Sequence, residues 1–219
     1  MPRQTFEQSL QHLQDEILLL GSMMAKAVER SVEALRTRDV RAAKQIIADD
    51  ALINQKRFAI EDLCVDMIAR QQPMARDARK ITAALIIANE LERMADYAQG
   101  IAKINVLMGD APLLKPLVDI PRMAEKGIAM TRDALDAFVR GDAAQAKAVA
   151  QQDDDVDALY DQIYRELLVF MLNDPQTIER ATWLLWAAHN LERIADRATN
   201  ICERVVFVVT GELVEYNVS

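Results

Sequence analysis

The residues in this chain best placed to do chemistry are two acidic spacings, written twice. Glu92 and Asp96 stand in Leu91-Glu92-Arg93-Met94-Ala95-Asp96-Tyr97-Ala98-Gln99-Gly100-Ile101. Glu192 and Asp196 stand in Leu191-Glu192-Arg193-Ile194-Ala195-Asp196-Arg197-Ala198-Thr199-Asn200-Ile201. The segments are 100 residues apart, and seven of their eleven positions are identical. Agreement in register over that length marks an internal duplication. Each residue of a helix turns about 100°, so Glu92 and Asp96 share one face while Leu91, Met94, Ala95, Ala98 and Ile101 form an apolar stripe on another. Two carboxylates four residues apart repel slightly. A cation held between them would relieve that repulsion.

A second acidic set lies upstream of each copy. Sliding the halves by 103 residues superposes Asp50 on Asp153 and Asn54 on Asp157, with Asp39 on Asp142, Ile53 on Val156 and Ile60 on Ile163. Asp161 extends the second ladder by a turn. Each half thus offers oxygen ligands from two helices, as a metal site in a bundle requires. The candidate metal ligands are Glu192, Asp196, Asn200, Asp153 and Asp157 in the second half, and Glu92, Asp96 and Asp50 in the first. Thr199, Asn200 and Glu203 are placed on the Glu192/Asp196 side, where the first half has Gln99, Gly100 and Lys103. Carboxylate and amide oxygens suit hard cations: magnesium, calcium, manganese or iron, with zinc as a further option. The plain alternative is a solvated face opposite an apolar one.

Other chemistry lacks its residues. The chain has two histidines, His12 and His189, and His189-Asn190-Leu191-Glu192 reverses the Glu-x-x-His order of di-iron bundles. No glycine-rich phosphate loop or nucleophile elbow occurs. Cys64 and Cys202 fall inside helical patterns and read as core thiols of a reduced, cytoplasmic protein. Arg70, Arg76, Arg79 and Lys80 cluster around Pro73 and read as a charged, solvated helix end.

These positions need long helices to hold them. Half of the 219 residues are hydrophobic, and only six are glycine and six proline. That composition predicts an all-α protein. The net charge of −8 excludes a general nucleic-acid binder. No secretory segment is seen, and the apolar runs at 83–88 and 183–188 are too short to cross a membrane. The first helix is predicted to start at the Thr5-Phe6-Glu7-Gln8 capping box and run to about Leu35. The second, capped by Asp39, runs from Val40 to about Ala69 and ends before Pro73. The third spans about Ala75–Met108. The second half repeats this plan: Ile120–Val139, a Gly141-Asp142 turn, a helix to about Leu172, an Asn173-Asp174-Pro175 stop, and a last helix fading near Gly211. Six long antiparallel helices in two tandem three-helix bundles follow. The divisions are a repeat at 1–110, a linker at 111–118, a repeat at 119–211, and a short, loosely held tail at 212–219.

With the repeated Leu-Glu-Arg-Met/Ile-Ala-Asp in view, the chain resembles the PhoU family of bacterial phosphate-uptake regulators. The likeness extends to Arg70-Gln71-Gln72-Pro73-Met74-Ala75-Arg76-Asp77-Ala78-Arg79, to Asp153-Asp154-Asp155-Val156-Asp157-Ala158-Leu159-Tyr160 and to Thr210-Gly211-Glu212. The resemblance implies a non-enzymatic, cytoplasmic adaptor, commonly a homodimer. Its partners would be the ATPase subunit of a phosphate ABC transporter and a sensor histidine kinase. It would repress phosphate-starvation signalling and bind metal, including multinuclear iron, on its acidic helix faces. Asn54, Gly100 and Lys103 depart from the second half's acids and amide, so the second half is expected to bind metal more strongly. The alternative is a helical-bundle metalloprotein or metal enzyme with no phosphate-signalling role.

Overall fold

The computed structural model describes residues 3–216, with side chains from Phe6 onward, and these residues form an all-α fold. The first arm, α1 (Arg3–Thr37), buries Leu13, Ile17, Leu20, Met24, Val28, Val32 and Leu35 along one stripe. It is already helical at Arg3, ahead of the expected start, and the Thr5 side chain of the capping box lies outside the described set. The turn to α2 (Val40–Gln71) is capped as predicted: Ala42 N donates to Asp39 Oδ1 at 2.9 Å. α2 buries Ile46, Ile53, Ile60 and Met67, one every seven residues, and so faces the core on one side only. By contrast α3 (Arg76–Met108) is buried on several sides, with Ile81, Ile87, Leu91, Met94, Ala98 and Ile101 all enclosed.

The second half runs α4 (Asp119–Arg140), α5 (Ala143–Ala150), α6 (Asp153–Asn173), a 3-10 turn at Pro175–Thr177, and α7 (Ile178–Thr210). The helix expected from Asp142 to Leu172 is therefore interrupted, at Gln151 and Gln152. Three acids, Asp153, Asp154 and Asp155, follow the break. A helix start suits them, because the dipole there favours negative charge. Gly141 ends α4 at φ 65°, and Gln145 N donates to Asp142 Oδ1 at 2.9 Å.

Two central helices, α3 and α7, pack against each other; α1 and α2 flank α3, and α4, α5 and α6 flank α7. One cluster of buried apolar side chains runs through both halves. At one point of the central crossing the residue is a glycine, Gly100, which lies against Asn190. The crossing is antiparallel: Glu90 meets Asn200, and Gly100 meets Asn190.

Three segments are more firmly held than the sequence suggests. Leu117 of the 111–118 stretch is buried, Leu113 and Leu114 pack on the core, and Lys115 pairs with Glu166. The tail is not loose as far as it is described: Tyr216 N donates to Glu203 Oε1 at 2.9 Å, and Val214 and Tyr216 pack on the core. The basic cluster is only partly solvated. Arg76 and Arg79 lie against Gly141 and Gly211, the carboxyl ends of α4 and α7, where helix dipoles favour cations.

Candidate functional site

The two acidic faces form where an outer helix meets a central one. In the first half α2 presents Asp50 and Asn54 toward Glu92 and Asp96 on α3. Asn54 Nδ2 donates to Asp50 Oδ2 at 3.0 Å. Partial burial raises the Asp50 carboxyl above its usual range, and Asp96 raises it further, while Lys103 and the Asn54 bond oppose the shift. Glu92 is raised for the same reasons, burial first and then Asp96, with Arg57 and Arg93 pulling it down. The duplicated spacing thus brings Asp50, Glu92 and Asp96 within electrostatic reach of one another.

In the second half α6 and α7 repeat the arrangement. Burial raises Asp157, and Glu192, Asp196, Asp154 and Asp161 add to the shift, with no cation opposing it. Asp196 is raised by burial against the pull of Arg193, Arg197 and His189. Arg193 Nη1 pairs with Asp196 Oδ2 at 2.8 Å, and His189 Nδ1 lies 2.8 Å from Glu192 Oε2. Asp153 is 7% exposed at the start of α6.

The residues grouped with these by helical phase serve other contacts. Asn200 Nδ2 donates across the central crossing to Glu90 Oε2 at 3.2 Å. Thr199 is buried, its hydroxyl 3.4 Å from Ala195 O. Glu203 faces the tail and receives Tyr216 N. A helix phase measured over two or three turns leaves room for such drift, and the neighbouring helix decides the outcome. Both thiols are core groups as predicted, and burial pushes Cys64 and Cys202 each up to about 12.

Several residues here are not among the candidates read from the sequence. Arg57 reaches Glu92 from α2, with Nε 3.9 Å from Oε1. Tyr97 on α3 raises Arg193 on α7, so the two repeated segments lie within electrostatic reach of each other. Arg197 pairs with Glu90 at 3.4 Å. The departures Tyr97/Arg197 and Gly100/Asn200 inside the repeat were the available clue, because these are the positions where α3 and α7 meet.

All the donors are oxygens, which fits a hard cation. Among the described residues, however, no three His, Cys, Asp or Glu side chains converge as a ready ligand set.

The PhoU domain model matches residues 17–104 and again 120–205, one match on each repeated half. The chain belongs to the PhoU family. It is 37% identical over 218 residues to the phosphate-specific transport system accessory protein PhoU homolog of Clostridium acetobutylicum, covering 99% of this chain and all of that one. A Caulobacter vibrioides protein of the same description is 37% identical over 209 residues, 95% of this chain and 91% of its own. The crystal structure of the phosphate transport system regulatory protein PhoU from Streptococcus pneumoniae superposes with a TM-score of 0.88 at 32% identity, covering 96% of this chain and 99% of that one. PhoU from Pseudomonas aeruginosa gives 0.88 at 35%, covering 94% of this chain and all of that one. No helix of the described residues is long and apolar enough to cross a membrane.

Proposed function

We propose that this PhoU-family chain regulates phosphate uptake and phosphate-starvation signalling as a non-enzymatic adaptor. Its partners are the ATPase subunit of a phosphate ABC transporter and a sensor histidine kinase, met on the cytoplasmic side by a homodimer. The observation that carries this reading is full-length similarity, across both repeats, to proteins described as phosphate transport accessory and regulatory proteins.

The second acidic face serves as the main hard-cation site, with Asp153, Asp157, Glu192 and Asp196 the ligands and Asn200 beside them; Asp50, Glu92 and Asp96 are the corresponding first-half set and the weaker one. A bound cation would supply positive charge to Asp157, which burial and its neighbouring carboxylates hold above the usual range, and to Asp196, which burial raises. The chain's own part is to hold those carboxylates on two rigid helices.

A starvation-responsive reporter tests the regulatory reading, in a host that lacks its own regulator and expresses the cognate transporter and kinase. The reporter should be on at high phosphate without this chain and off with it. A reporter that stays on while the chain is stably expressed would sink the proposal.

A further inference from the structure

The two acidic faces are not equivalent, and the difference centres on Arg57. This side chain is 16% exposed, three residues beyond Asn54 on α2. Its Nη1 donates to Glu61 Oε2 at 2.9 Å and to Asn89 Oδ1 at 3.3 Å, and its Nε stands 3.9 Å from Glu92 Oε1. The duplication supplies the comparison. The 103-residue shift of the outer helices puts Tyr160 in the place of Arg57, and the 100-residue shift of the central helices puts His189 in the place of Asn89. Tyr160 and His189 do meet, with ring centroids 6.1 Å apart. The packing contact is kept in both halves, but only the first half has a fixed positive charge there.

Both faces have further cations nearby, but they are held differently. Lys103 and Arg93 also act on the first face, opposing the shifts of Asp50 and Glu92. Where Lys103 stands in the first repeat, the second has Glu203. On the second face Arg193, Arg197 and His189 all act on Asp196, but Arg193 is 38% exposed and reaches Asp196 from its own helix, Arg197 is paired across the crossing with Glu90, and Asp157 has only carboxylates acting on it. A divalent ion entering the first face would lie within a few ångströms of the Arg57 guanidinium, and repulsion at that range is weakly screened in a partly buried site.

We propose that Arg57 is the resident cation of the first acidic face and excludes metal from it, leaving the second face as the cation site of this chain. The inference rests on the cation reading of the acidic faces, and the test separates the two. Chelator-stripped protein is titrated with manganese(II) by calorimetry, with bound ion counted by electron paramagnetic resonance. The background variant is Glu192→Ala/Asp196→Ala, which removes the second face. Adding Arg57→Gln to that background should create one manganese site at least tenfold tighter than any in the parent, lost again on Asp96→Ala. Arg57→Lys keeps the charge and should leave the face closed. Should the glutamine variant fail to fold by circular dichroism, Arg57→Met retains the stem and removes the charge.

If Arg57→Gln and Arg57→Met, both folded, bind no tighter than the parent, Arg57 is not the excluding group and the proposal falls. Two equal sites in the wild-type chain would overturn it as well. If the wild-type chain binds no manganese but the Arg57→Gln chain binds one, the Arg57 proposal stands and the second-face reading fails.

Discussion

Glu90 on α3 and Arg197 on α7 form an ion pair at 3.4 Å, each side chain 14% exposed, across the crossing of the two central helices. Asn200 donates to the same carboxylate oxygen. Glu90→Ala would leave a largely buried guanidinium without its anion. Breaking one side of such a pair costs about 3–5 kcal/mol when fully buried, and residual solvent lowers that to about 2–3 kcal/mol here. Urea unfolding should show this loss, and Glu90→Ala/Arg197→Met should recover much of it. Equal stability of Glu90→Ala and wild type would mean that the pair does not support the crossing.

The turn between α1 and α2 depends on Asn105, which is fully buried. Its Nδ2 donates to Ala34 O at 2.8 Å and Asp39 O at 3.2 Å, and its Oδ1 accepts from Arg38 Nη1 at 2.6 Å. Arg38 needs that support, because it sits at φ 59° where the second half has Gly141. Asn105→Ala removes three hydrogen bonds at once, while Ala34 O keeps Asp39 N, Asp39 O keeps Ala43 N and Arg38 keeps Gly109 O, so the loss should be about 1–3 kcal/mol. Asn105→Leu should be no better, since the loss is polar rather than volumetric. Thermal or urea melts of both variants decide this.

Acidification should at first stabilise the protein. Asp50, Glu92, Asp157 and Asp196 all have folded pKa values raised above the ordinary carboxylate range. A raised value means that the folded chain binds protons more readily than the unfolded one. The resulting stability is complete below the unfolded pKa and is lost as pH rises through the folded value. The melting temperature should therefore rise as pH falls from neutral through those raised values. Asp157→Asn should be more stable than wild type at neutral pH and show a flatter rise. A melting temperature that falls steadily over the same window would contradict the assignment.

Cations should act on the second-face members of this set, Asp157 and Asp196. A ligand that binds only the folded state adds about 2.7 kcal/mol at a hundredfold excess over its Kd. Manganese(II) or iron(II) should raise the wild-type melting temperature in a concentration-dependent way, and Glu192→Ala/Asp196→Ala should abolish the rise. The same variant should lose metal content when purified without a tag or chelator.

The tail offers a simpler test. Removing residues 212–219 deletes the Tyr216 N–Glu203 bond and uncovers apolar surface beneath Val214 and Tyr216. About 1–3 kcal/mol of stability should be lost, measured as a shift of the urea midpoint.

Much of the fold can be read from local chemistry. Asp39 and Asp142 cap helices because a short side-chain oxygen can reach an amide three residues on, and that preference is visible in any sequence. Pro73 and Pro175 mark stops for an equally local reason. The break at Gln151–Gln152 carries no such mark, since glutamine is a good helix former; the acids that follow are the only hint. Glu92 and Asp96 share a face because of periodicity within one helix. Arg57 reaching Glu92, Asn200 turning to Glu90 and Glu203 turning to the tail depend instead on the register between helices. That register is set by the packing of α2 on α3 and of α3 on α7, which no single stretch of sequence contains.

The α3–α7 crossing has the geometry of an isologous interface folded into one chain. In a C2 assembly, residue i of one subunit meets j of the other, and j meets i. Here Glu90 meets Asn200, and at the mirrored position Asn190 meets Gly100. In two identical subunits a change at either residue would be made twice, and an ion pair could not be introduced on one side alone. Joining the copies in one polypeptide removes that constraint. Glu90, Arg197 and Asn200 form a polar cluster on one side, while Gly100 leaves room for Asn190 on the other. Substitution at Gly100 is therefore felt once, at Asn190, where an added Cβ would stand 3.1 Å from Oδ1.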